Sequence, residues 1–181
     1  LKKSTDQNTP LKIEARTTSG DITERKCITD NITFGGTLRA VTDDIKNEYY
    51  VIGFGKFGEQ VAKTLYDNGL NVVIIENDKK RAEKASEVSE YTMCIDATDL
   101  VALQETGIAN AKTVVVAVSD IQNGILVCAN LIQLGAKGSI IARAQNNIHK
   151  MVLKTMGIEN VTIPEIEVAH HIALQAMYSF N

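Results

Sequence analysis

The chain predicts an α/β fold, a Rossmann-like doubly wound parallel sheet closed by a C-terminal helix, and three observations carry that expectation. From residue 50 onward, apolar runs of strand length alternate with amphipathic segments at short spacing, the pattern of a parallel sheet with right-handed crossovers. The first run leads into a glycine-rich turn in which Gly53, Gly55 and Gly58 are separated by Phe54, Lys56 and Phe57. The second run, residues 72–75, ends in an acid, Glu76, roughly 20 residues past the glycines.

Each element has its own sequence signals. Tyr50, Val51 and Ile52 form the first strand, and Phe57, Val61, Ala62 and Leu65 then recur at helical spacing until Asn68 and Gly69 stop the helix. Residues 71–75 form the second strand. Residues 79–90, rich in Lys, Glu, Arg and Ala, read as a solvated helix with Ala82, Ala85 and Val88 on one face. Residues 91–95 are a third strand, and Thr98 or Asp99 can cap a short helix over 100–106 that Gly107 closes. The pattern repeats with a buried strand over 113–118 and a helix over 121–134 turning Ile125, Ala129 and Ile132 inward. A strand over 139–144, a helix over 146–156 and a short strand over 161–163 follow, and Pro164 and Glu165 open a last helix with an apolar face. Residues 1–47 are polar with short apolar clusters; turns at 19–21 and 34–36 suit a hairpin-like or partly disordered extension without chemistry of its own.

Composition narrows the function classes. With 44% hydrophobic residues and a formal net charge of -3, the 181-residue chain is neither disordered throughout nor generally basic, so no nucleic-acid partner is expected. No apolar run approaches the ~20 residues of a membrane span. Cys27, Cys94 and Cys128 lack metal-ligand or disulfide spacing and read as buried thiols of a reducing, cytoplasmic compartment. The first residue is Leu1, and nothing after it resembles a secretory signal, as expected of a fragment or processed chain.

The glycines have separable tasks: Gly53 makes the tight turn, Gly55 lets the backbone approach a pyrophosphate, and Gly58 lets the helix pack closely on the strand. Amide groups at the helix start then face phosphate with the positive end of the helix dipole behind them. Glu76 stands where an acid holds ribose hydroxyls; the plain alternative is a solvated strand-end charge. Asp96, Ala97, Thr98, Ser119 and Arg143 also follow strands, so they converge on the crevice beyond the strand ends. Lys56 and Arg143 are phosphate ligands or solvated cations, and Asp96 is a ligand or a cap. His149, His170 and His171 have no catalytic or metal spacing and are expected at the surface or an interface.

With these residues in place, residues 49–178 resemble the KTN or RCK nucleotide-binding domain of regulatory subunits of bacterial Trk/Ktr potassium uptake systems. The likeness rests on the glycine turn over 51–58, Glu76, the run 96–98 with 103–108, the run 117–120, the run 142–146 with His149, and Pro164 with Glu165. It implies a ligand sensor, not an enzyme, working in the cytoplasm on a membrane potassium channel or transporter subunit. Gly53, Gly55, Lys56, Phe57 and Gly58 would line the phosphates of NAD(H) or ADP/ATP and Glu76 would hold the ribose. Asp96, Ala97 and Thr98 would flank the adenosine, with Ser119 and Arg143 toward the remaining phosphate. Glu165 would help bind a divalent cation near a dimer axis, its bland alternative being a first-turn acid favoured by the helix dipole. The chain then divides into an extension (1–47), the nucleotide domain (48–163) and a crossover helix (164–181) that pairs subunits into a homodimer or higher ring. Ile95 and Lys56 depart from the family, where glycine and arginine are frequent. The competing class is an NAD-dependent oxidoreductase, which needs a substrate domain and a general acid or base that these residues do not provide.

Overall fold

The computed structural model describes residues 49–136 and 138–178. The expected extension, Cys27 and the end of the expected crossover helix, 179–181, therefore lie outside the described residues. Six parallel strands, β1 (Tyr49–Ile52), β2 (Val72–Glu76), β3 (Thr92–Cys94), β4 (Thr113–Val116), β5 (Ser139–Arg143) and β6 (Asn160–Thr162), form one sheet in the order β3-β2-β1-β4-β5-β6. This is a Rossmann sheet, and its chain direction of growth reverses between β1 and β4, which pair with Val51 opposite Val115.

Strand composition explains why both faces are covered. Alternate residues of each central strand serve opposite layers, and nearly all are Val or Ile, as a sheet buried on both sides requires. Tyr50, Ile52, Val73, Ile75, Val114 and Val116 enter one core with Leu103, Val127, Cys128, Leu131 and Leu153. Val51, Val72, Ile74 and Val115 enter the other with Phe54, Ala62 and Ala85. Helices α1 (Lys56–Asp67) and α2 (Lys79–Ala85) thus cover one face, and α3 (Leu100–Glu105), α4 (Ile121–Gln133) and α5 (Asn147–Thr155) the other.

Three details correct the sequence reading. Helix α2 stops at Ala85, short of residue 90, because Ser86 turns back to the Glu83 carbonyl while Ser89 donates to Val72 O and accepts from Tyr91 N. The inward stripe of α4 is Gly124, Val127, Cys128 and Leu131, with Ile125 only partly buried and Ile132 44% exposed. That helix is apolar on several faces, so its phase is set by packing. His149 is buried, at 3% exposure, where a surface or interface position was expected, because α5 lays its ring against the Gly124 position of α4. Helix α6 (Pro164–Tyr178) buries none of its residues within the single chain.

Candidate nucleotide-binding site

The glycine turn joins β1 to α1 at the point where the sheet order reverses. Gly53 has φ +94° and donates its N–H to Ile75 O at 2.8 Å; a Cβ there would also press on the Ala117 carbonyl group at 3.2 Å. A Cβ on Gly58 would lie 1.9 Å from Gly53 O, so α1 can approach the turn only with glycine at that position. Gly55 has neither demand. Its φ is -75°, and a Cβ would meet nothing nearer than Ser119 Oγ at 3.9 Å. The fold itself does not require glycine there, whereas a phosphate seated against the backbone would.

Helix α1 also begins without a side-chain cap. The starts of α2, α3, α4 and α5 are each capped, by Asp78, Asp99, Asp120 and Asn146. Glycine at the N-cap leaves the first-turn amides of α1 facing the crevice, with Lys56 exposed at the first helical position. An anion seated against this helix start would meet backbone donors and the positive end of the helix dipole.

Glu76 ends β2 and is 4% exposed. Its Oε2 accepts from Phe54 N at 2.7 Å, and its Oε1 from Asp78 N at 2.9 Å and from Arg81 Nη2 at 3.0 Å. A solvated strand-end charge is excluded by that burial. The carboxylate braces the glycine turn, and with three of its four acceptor sites taken, one on Oε2 remains for a hydroxyl donor. One strand over, Asp96 Oδ1 accepts from Thr98 N at 2.9 Å and Thr98 Oγ1 at 2.8 Å, closing a small turn; the cap of α3 is Asp99. Ala97 is buried beneath that turn. Asn130 of α4 holds it from below, donating from Nδ2 to Ala97 O at 3.3 Å and Thr98 O at 2.9 Å.

The far end of the crevice is built on Arg143, the last residue of β5. Its Nη1 donates to Ser119 Oγ at 3.3 Å, its Nη2 to Glu165 Oε1 at 2.6 Å, and its guanidinium lies 5.8 Å from the centroid of the Phe57 ring. Its Nε is buried without a partner, a donor in want of an acceptor. Gln145 Nε2 donates to Ser119 O, fixing the loop after β4. Glu165 is held below the usual carboxylate range by its own backbone amide and then by Arg143. Among the described residues no group of three His, Cys, Asp or Glu side chains could hold a metal ion.

The structure thus brings Gly53, Gly55, Phe57, Gly58, Ser119 and Arg143 to one locus, ties Glu76 to it through Phe54, and sets Asp96, Ala97 and Thr98 beside β2. Sequence reasoning missed Arg81, Asn130 and Gln145. A signal existed for Asn130, an amide amid the apolar run of α4.

A family model described as the TrkA-N domain matches residues 49–164. This chain belongs to the TrkA-N family. "Uncharacterized protein MG323" of Mycoplasma genitalium is 41% identical over 134 residues, covering 74% of this chain and 59% of that protein. Ktr system potassium uptake protein C of Bacillus subtilis is 32% identical over 130 residues, covering 71% of this chain and 58% of the relative. The TrkA-N chain therefore spans just under three fifths of the length of these relatives. Among solved structures, the TrkA-N domain of inner membrane protein ybaL from Escherichia coli superposes with TM-score 0.66 at 21% identity, covering 72% of this chain and 96% of that one. The Shewanella denitrificans Kef C-terminal domain in its AMP-bound form gives 0.63 at 19%, covering 72% and 79%. The GsuK channel bound to NAD gives 0.60 at 18%, covering 67% and 22%. These likenesses establish the shared fold.

Proposed function

We propose that this TrkA-N chain is the nucleotide-sensing regulatory part of a potassium transport system, cytoplasmic and acting on a membrane channel or transporter subunit. The observation that carries the reading is the buried Glu76 carboxylate tied to the glycine turn, beside a Gly55 that the fold itself does not need. Together they offer one ribose and one phosphate position on a single rigid edge of the sheet. A potassium uptake protein among the relatives, and structural neighbours bound to AMP and to NAD, support an adenine nucleotide, NAD(H) or ADP/ATP, as the ligand.

In this reading the Gly55 backbone and the first-turn amides of α1 hold the first phosphates, with Lys56 as a point charge. Glu76 accepts from a ribose hydroxyl, the Asp96 turn flanks the adenosine, and Arg143 and Ser119 meet the further phosphate. The domain works as a sensor and not as an enzyme. Glu165 alone is too sparse a donor set for a divalent cation within one chain. No helix among the described residues is long and apolar enough to cross a membrane. In this reading the partner supplies the connection to the membrane, and subunits pair through α6.

Thermal unfolding of the protein with NAD, NADH, ADP, ATP and a cyclic dinucleotide tests the reading. A ligand at about 100 times its Kd stabilises the folded state by about 2.7 kcal/mol and raises Tm by several degrees. Stabilisation by an adenine nucleotide without hydride transfer to or from NAD(H) is the expected result. Indifference to every nucleotide, or catalytic hydride transfer, overturns it.

A further inference from the structure

A carboxylate offers about four acceptor sites, and on Glu76 the chain itself fills three. Oε2 takes only the Phe54 N–H, at 2.7 Å, whereas Oε1 takes both the Asp78 N–H at 2.9 Å and Arg81 Nη2 at 3.0 Å. Two of these donors are backbone amides. Arg81 differs from them: its side chain is 53% exposed against 3% for that of Glu76, and its place on α2 is held separately, by its own N–H on Asp78 Oδ1 at 2.9 Å. The guanidinium is thus an added occupant of Oε1, and neither the glycine turn nor the cap of α2 depends on it.

We infer that Arg81 determines the ribose specificity of this site: by closing Oε1 it leaves Glu76 able to bind one of the two ribose hydroxyls of an adenine nucleotide and not both. This rests on the nucleotide-binding reading above. A ribose presents two adjacent hydroxyl donors, and a carboxylate with both oxygens open can accept one on each. Here the second hydroxyl would have to displace a guanidinium. It would exchange an ion pair, whose hydrogen bond is roughly twice as strong as a neutral one, for a contact with an uncharged donor. The Glu76 end of that pair is buried, so water and salt weaken it less than they would a surface pair. The second hydroxyl therefore stays hydrated and contributes nothing to affinity.

Calorimetry with AMP, 2′-deoxy-AMP and 3′-deoxy-AMP tests this on the parent and on Arg81→Met, which keeps the aliphatic stem and removes the donors. AMP holds the ribose and phosphate common to NAD(H), ADP and ATP. In the parent, one deoxy analogue is expected to bind as well as AMP and the other at least about tenfold more weakly, the effect of one hydrogen bond to a charged group. In Arg81→Met, with Oε1 open, both analogues are expected to fall at least about tenfold below AMP. Loss of the positive charge acts on each nucleotide alike, so the ratios isolate the hydroxyls. A parent that loses affinity for both analogues, or for neither, overturns the inference while its binding of AMP leaves the nucleotide reading in place. Ratios in Arg81→Met equal to those of the parent overturn it as well. Failure of the parent to bind AMP overturns both readings together.

Discussion

Gly55 and Gly58 stand three residues apart and have opposite sensitivities. A methyl at Gly58 collides with the Gly53 carbonyl, so Gly58→Ala is expected to cost about 3 kcal/mol in thermal or urea unfolding. Gly55→Ala meets only open space and an ordinary contact, with φ already negative, so the fold should persist while nucleotide affinity falls by orders of magnitude. Unchanged affinity in a folded Gly55→Ala protein would place the site elsewhere. Glu76 makes a third residue-scale prediction: NADP should bind more weakly than NAD by calorimetry, since a 2′-phosphate would face a buried carboxylate. Arg81 offsets part of that repulsion, so Arg81→Ala should widen the gap, and equal affinities in the parent would refute the placement of the ribose. The glycines and Glu76 were legible because their chemistry lies in local spacing. Arg81 and Asn130 were not, because their roles depend on partners, Glu76 and the Ala97 and Thr98 carbonyls, that only the folded chain brings within reach.

At the scale of elements, boundaries followed capping chemistry that can be read locally. Asp78, Asp99, Asp120 and Asn146 each accept an amide from the first turn of their helix, and Gly107 closes α3 with φ +76°. Helix phase was less accessible, and α4 shows why: with Ile, Leu, Val, Cys and Ala all around it, periodicity cannot tell Val127 and Leu131 from Ile125 and Ile132. The same packing buries His149. Its Nδ1 accepts from Gln145 N at 3.3 Å, so the ring proton is on Nε2, which is buried without a partner, and desolvation lowers its pKa. The unfolded chain, with an ordinary histidine near pH 6.5, binds this proton more readily than the folded one. Stability should therefore be whole above about pH 6.5 and fall as pH drops toward the depressed folded value. A His149→Gln protein should show a flatter profile over that window in pH-dependent thermal unfolding, and coincident slopes would show that His149 stays neutral for no energetic gain.

For the molecule as a whole, the sheet order and its two cores followed from alternating strands and helices, yet α6 obeys a different rule. Ile166, Ala169, Ile172, Ala173, Ala176 and Met177 recur at three- and four-residue spacing, and Val168, Leu174 and Tyr178 add apolar surface beyond that stripe. A helix apolar on most sides belongs inside something, yet here Ile166 is 55%, Ile172 57% and Met177 69% exposed. Docking on the sheet of its own chain is not what the fold does, since the helices α1 to α5 already cover both faces. A second copy presents the same unburied stripe, and pairing the two by a two-fold axis buries both at once. The chain is therefore expected to sediment as a dimer or a higher ring. Ile172→Asp is the discriminating change. In a monomer it alters an exposed position and should leave the unfolding free energy within about 0.5 kcal/mol of the parent. Across a two-fold interface it buries two unpaired carboxylates, and the assembly should dissociate toward monomer or precipitate. A parent that sediments as a monomer at high concentration, with Ile172→Asp indistinguishable from it, would rule the interface out.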